Sequence, residues 1–354
     1  MPADEADAAV ARARQLVDLG RFEQALAILG PVLGQQPEHA EASIQAGIAL
    51  INTDRAGQAM GLLQRAAAAA PSDCEPLRLL SFALLRVGRD RDALNAAQRA
   101  VELSPSQPEC LVQLARALVV NHHDERALAT ARRAVELAPH SADAHLCLSE
   151  TLVPVGRKPP RDAVREALQH TGWVLGEYPD HAEALNEWAR VQLAAGRPVH
   201  AATALSSAVR ADPSLDAALH NLGVAFGALV WRGHLGVWGA WVVSRLSGST
   251  RAGVAAAAPA ALVLSAALAG AALIYVYVGL RRAVPRHLVR YLRVFLQRQP
   301  ARAIWGLVLI PAALAMCALV VAPPAARGPL QGLAGMLLLV GAILSWIARS
   351  QDSR

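Results

Sequence analysis

Few residues in this 354-residue chain have the spacing for chemistry. His122 and His123, followed by Asp124 and Glu125, are where metal-ligating side chains crowd together. The four cysteines (Cys74, Cys110, Cys147, Cys317) stand far apart with no CxxC pair, so they suggest neither a zinc site nor a disulfide framework. They read as small apolar residues in a reducing compartment. The soluble part of the chain shows no Ser/His/Asp grouping, Gly-rich phosphate loop or paired catalytic carboxylates. Residues 222–351 contain no Asp or Glu, which removes the carboxylates that intramembrane proton relays and cation sites usually need. We therefore expect a protein that is not an enzyme, with no cofactor and no resident metal.

What the chain has instead is an interval. AQRAVELSP (97–105) returns as ARRAVELAP (131–139), 34 positions later. Aligned on that copy, prolines fall at Pro37, Pro71, Pro105, Pro139, Pro179 and Pro213, in steps of 34, 34, 34, 40 and 34. The long step contains GRKPPRDAV (156–164), which reads as a loop insertion of about six residues. A second set of turn-tolerant marks keeps the same step: Gly20, Asp54, Gly88, His122, Gly156 and Gly196. A third is small: Ala25, Ala59, Ala93, Ala127, Ala167 and Ala201. Leu111, Leu114 and Leu118 form one apolar stripe at helical spacing. Each unit thus reads helix, tight turn, helix, proline, because proline lacks an amide donor and pushes the preceding residue out of helical geometry. The two histidines fall on such a turn, where exposed polar residues are expected, and this argues against a metal site.

These marks resemble the tetratricopeptide repeat family over residues 6–215, as six units with the start of a seventh at Leu215–Phe226. The family's first-helix Trp is absent, while its small helix-packing position is Gly47, Ser81, Ala115, Ser149, Ala189 or Gly223. The resemblance implies an all-α fold: stacked helix pairs bury on one another what one pair cannot, building a superhelix with a concave face. It also implies that the first helices line a groove. Carried onto this chain, the groove positions are Arg14, Ile48, Phe82, Arg116, Glu150 and Arg190, with Arg78 one turn earlier in its helix. Four arginines beside apolar residues suit a peptide with acidic and apolar side chains. The Lys and Asn set with which the family clamps a dicarboxylate is missing.

The rest of the chain belongs to another solvent. Residues 1–221 carry 27 acids against 21 bases, whereas residues 222–354 carry 13 arginines and one acid, Asp352. Val254–Leu280, Ala303–Ala322 and Gly328–Ala348 each reach the ~20 apolar residues of a bilayer crossing, with Trp305 and Trp346 near span ends. Leu222–Ser244 is ambiguous. It is apolar but carries Arg232 and His234 at its middle, and a central Arg costs about 2.5–3.5 kcal/mol. Residues 216–253 are therefore expected to be a degenerate seventh repeat or a weak first membrane segment, ahead of a membrane region at 254–354. Seven arginines between Arg281 and Arg302 should stay in the cytoplasm, and no signal sequence exports the repeats, so four crossings agree with the charges better than three. Within that linker, Arg282, Arg286, Arg290 and Arg293 share one helical face opposite Leu288, Tyr291, Leu292 and Phe295. This is the pattern of a helix lying on anionic lipid. Nucleic acid is not an expected partner.

We expect a multi-pass protein of a bacterial-type cell membrane, whose cytoplasmic repeats act as a scaffold binding a protein or peptide ligand. The alternative is a repeat domain attached to a small transporter or membrane-enzyme subunit.

Overall fold

The same short chemistry sets helix ends throughout the repeats. In the computed structural model, which describes residues 3–156, 158–248, 258–283 and 300–352, the turn marks all adopt positive φ: Gly20 (70°), Asp54 (57°), Gly88 (73°), His122 (61°), Gly156 (80°) and Gly196 (71°). The amides at and after this residue bond back into the helix just ended. Gly88 N reaches Leu85 O at 3.1 Å and Arg89 N reaches Leu84 O at 2.9 Å, and the same pair recurs at Gly20, Asp54, His122 and Gly196. This satisfies carbonyls that a helix C-terminus otherwise orphans.

Between repeats proline takes over. The residue before it has left helical geometry, with ψ of 74° at Gln36, 73° at Ala70, 78° at Ser104 and 72° at Ala138. Proline then takes the second place of a β-turn, closed for Pro37 by His39 N to Gln36 O at 3.1 Å. Where His39, Ser141 or His181 follows, its side chain accepts a bond from the amide three residues on and caps the next helix.

The pairs so formed are α1 (Ala3–Asp18) with α2 (Phe22–Gln35), α3 (Ala40–Asn52) with α4 (Ala56–Ala69), and α5 (Glu75–Arg86) with α6 (Asp90–Leu103). They continue as α7 (Pro108–Val120) with α8 (Asp124–Leu137), α9 (Ala142–Leu152) with α10 (Arg161–Glu177), and α11 (Ala182–Ala194) with α12 (Pro198–Ala211). The described residues are all-α. The six in-register alanines are fully buried, and a Cβ added at Gly47 would stand 2.7 Å from Leu63 Cδ2. Close crossing of the two helices in a repeat demands such small residues. The insertion is shared between loop and helix: α10 has 17 residues where α2, α4, α6, α8 and α12 have 14 each.

The chain divides into two compact units, Met1–His170 and Thr171–Arg354, with α10 running through the division. In the first, side chains tie neighbouring repeats together across 31 or 32 residues of sequence. Gln113 Nε2 donates to the buried Ser81 Oγ at 3.0 Å, Arg55 pairs with Glu23 at 2.7 Å, and Asn121 Nδ2 donates to Asp90 O at 2.9 Å.

In the second unit, α13 (Asp216–Gly248) is one unbroken helix of 33 residues. Its first half buries Leu222, Ala225, Phe226 and Leu229 with Ala201, Leu205 and Val209 of α12. Its second half buries Val230, Val237 and Ala240 with residues of α14 (Ala258–Ala283), α15 (Pro300–Ala318) and α16 (Pro324–Asp352). The segment expected to be either a repeat or a membrane span is thus a single helix with different neighbours for each half. Arg232 lies where they meet, donating to Gly196 O at 2.5 Å and to the Tyr275 hydroxyl at 3.2 Å. His234 is buried against Gly341, where a Cβ would come within 2.4 Å of the ring.

Among the described residues, Ala260–Gly279 and Ala325–Ile347 are long and apolar enough to cross a membrane, with mean hydropathies of 2.2 and 2.0. Of the third expected span, Ala303–Ala322, α15 covers residues 303–318 and stops at Ala318 rather than Ala322. Trp346 is exposed, while nothing is described of the Trp305 side chain. Arg286, Arg290 and Arg293 lie outside the described residues, as does the side chain of Arg282 at the end of α14.

Candidate functional site

The first helices of repeats two to five converge on one cavity of about 430 Å³. Ile48 comes from α3, Arg78 and Phe82 from α5, and Arg116 from α7. Leu79 and Val112, both nearly buried, supply further apolar lining. Helical spacing explains the set, since residues three and four apart present one face. Successive 34-residue copies place that face side by side. Four of the seven groove positions read from the sequence therefore share a wall. The other three do not line it: Glu150 pairs with Arg116, Arg14 is exposed on α1, and Arg190 belongs to the second unit.

The arginines do not stand free. Glu75 lies one turn before Arg78 and takes its guanidinium in two bonds, at 2.7 and 2.6 Å. Arg116 Nε donates to Glu150 Oε2 at 3.2 Å, across one repeat. Arg190 repeats the first arrangement with the buried Glu187, at 2.7 and 2.6 Å. Bidentate, partly desolvated pairs of this kind are stronger than ordinary surface ion pairs.

The titration behaviour follows. Burial pulls the Arg78 pKa down, but Glu75 and then Glu109 more than offset this and hold it above its ordinary value. Glu150 does the same for Arg116, again against burial. The field felt by each guanidinium is therefore negative. Nearby, burial pushes the Cys110 thiol up to about 12, with help from Cys74, so it stays protonated. None of the four cysteines is in a disulfide, and three of them are buried.

Among the lining residues that the groove positions did not include are two carboxylates, Glu109 and Asp143. Both are exposed, and neither has an ion pair among the described residues. A signal for them existed. Acids recur in the first turn of successive first helices as Glu41, Glu75, Glu109, Asp143 and Glu183, in steps of 34, 34, 34 and 40. Acids are favoured at any helix N-terminus by the dipole, which hides a stripe of this kind. His122 and His123 are exposed at their turn, and among the described residues no group of three or more His, Cys, Asp or Glu converges.

With this geometry in hand, two family models described as tetratricopeptide repeat match the chain, over residues 16–81 and 162–216. Among solved structures, one of the APC/C hetero-tetramer Cut9-Hcn1 aligns with a TM-score of 0.53 at 17% identity, covering 62% of this chain and 42% of that one. TTC0263, a thermophilic TPR protein of Thermus thermophilus, aligns with a TM-score of 0.47 at 18% identity, covering 53% and 99%. YrrB, described as a TPR protein with an unusual peptide-binding site, aligns with a TM-score of 0.35 at 19% identity, covering 54% and 96%. No curated protein matches in sequence. The matched repeats, the in-register turns and the Cut9-type architecture agree: the chain carries tetratricopeptide repeats stacked as a helical solenoid.

Proposed function

We propose that this protein is a membrane-anchored scaffold whose repeats hold a protein or peptide ligand at the cytoplasmic membrane face. The observation that carries the binding half is the shared cavity, to which first helices of four successive repeats contribute Ile48, Phe82, Arg78, Arg116 and Asp143. An open, continuous wall of apolar and charged side chains suits an extended or helical peptide better than a small enclosed ligand. Tetratricopeptide proteins serve in general as binding scaffolds, which agrees with this reading.

The membrane half is supported by the second unit. It has two helices of crossing length, and Ile274, Leu307, Leu339 and Trp346 are each more than half exposed on its outside. So much apolar surface facing water would be a liability, whereas lipid removes it. The interior seam uses small residues, as membrane helices do: a Cβ on Gly233 or Gly236 would strike Val276 or Ala272. The arginine-rich stretch 281–302 would then meet anionic lipid headgroups on the cytoplasmic side.

The test places a photo-crosslinking amino acid at Phe82, or at Glu136 on the exposed face of α8, in the full chain within its native membranes. A discrete adduct from Phe82 and none from Glu136 is the expected result. Equal adducts from both positions, or none from either, would overturn the binding half of the proposal.

A further inference from the structure

Resting on that groove reading, we infer that the ligand is a peptide of basic and aliphatic side chains, and not the acidic peptide that four groove arginines suggest. Counting arginines gives the wrong sign because each of those in the cavity is already taken. Glu75 holds Nε and Nη2 of Arg78, and Glu150 holds Nε of Arg116, so each positive charge already has a carboxylate against it. An acidic side chain could reach only the remaining N–H donors, and would do so beside that carboxylate and its repulsion. A cationic side chain displaces nothing: Glu109 and Asp143 line the same cavity, are exposed, and have no ion pair among the described residues. Glu109 and Asp143 on the lining, with Glu75 and Glu150 paired to its arginines, set four carboxylates against Arg78 and Arg116. Between them Ile48, Leu79, Phe82 and Val112 offer apolar contact, so the aliphatic part of the ligand has its own place. Complementarity of this kind selects among partners more than it sets raw affinity.

The experiment probes the purified full chain with a positional-scanning array of nonapeptides. Lys and Arg should be favoured over Asp and Glu on the order of tenfold at low salt, and less as salt rises. Glu109→Gln with Asp143→Asn changes exposed groups without altering shape, and should abolish the preference. Glu75→Gln with Glu150→Gln frees both arginines and should turn the preference toward Asp and Glu. Capture of acidic peptides by the unaltered chain would overturn the inference while leaving the groove reading intact. Capture of no peptide, or capture indifferent to Phe82→Ala, would overturn both.

Discussion

His122 is the most strained of the turn residues, since it holds φ at 61° without the freedom of glycine or the short polar side chain of aspartate. His122→Gly should raise the unfolding free energy by about 1 kcal/mol, read as a higher denaturation midpoint. Asp54→Gly should gain less, because aspartate tolerates this conformation and Asp54 also pairs with Arg86 at 2.5 Å. A lower midpoint for His122→Gly would show that its ring makes contacts worth more than the backbone relief. At this scale legibility was uneven. Turn marks and alanines could be read because their demands are local to one residue: a positive φ, or room for nothing larger than a methyl group. The arginine pairs could not. Periodicity identifies equivalent positions, but Glu75 lies three residues from Arg78 within one helix and Glu150 lies a whole repeat from Arg116. Aligning copies does not reveal which carboxylate each guanidinium chooses.

At the scale of elements, α13 was the hardest to read from sequence, and its structure gives the reason. An apolar run with Arg232 at its middle satisfies neither a soluble helix nor a bilayer span. It makes sense once its first half packs on α12 and its second half on α14, α15 and α16. Arg232 then sits between the two environments, held by the Gly196 carbonyl and the Tyr275 hydroxyl. Leu229 marks the same junction. It is fully buried, and Gly279 of α14 is so close that a Cβ there would stand 3.0 Å from it. Leu229→Ala should destabilise the second unit by about 2–5 kcal/mol. Thermal unfolding of the full chain in detergent, followed by protease resistance of that unit, would show it. An unchanged midpoint would mean that the two halves of α13 are not held as described. The insertion at 156–164 was read as loop, yet α10 is three residues longer than the other second helices. Prolines at 159 and 160 favour that outcome, since proline is tolerated at a helix start and not inside it.

On the scale of the whole molecule, the sequence divides by solvent: an acidic stretch of repeats with net charge −6, and an apolar stretch with net charge +12. That contrast was visible in composition alone, because charge and apolar content can be counted without knowing any contact. The course of α13 was not, since a helix that packs on α12 with one half and on α14, α15 and α16 with the other has no compositional mark of its own. The proposed function requires a groove that faces the cytoplasm, with the arginine-rich stretch on the same side of the membrane. Its most direct test replaces the four native cysteines and introduces one cysteine at a time, at Glu136 or at Ser249, for labelling with a membrane-impermeant maleimide. In intact cells Ser249→Cys should be labelled, and Glu136→Cys should stay unlabelled until the membrane is opened. Labelling of Glu136→Cys from outside the intact cell would contradict the account.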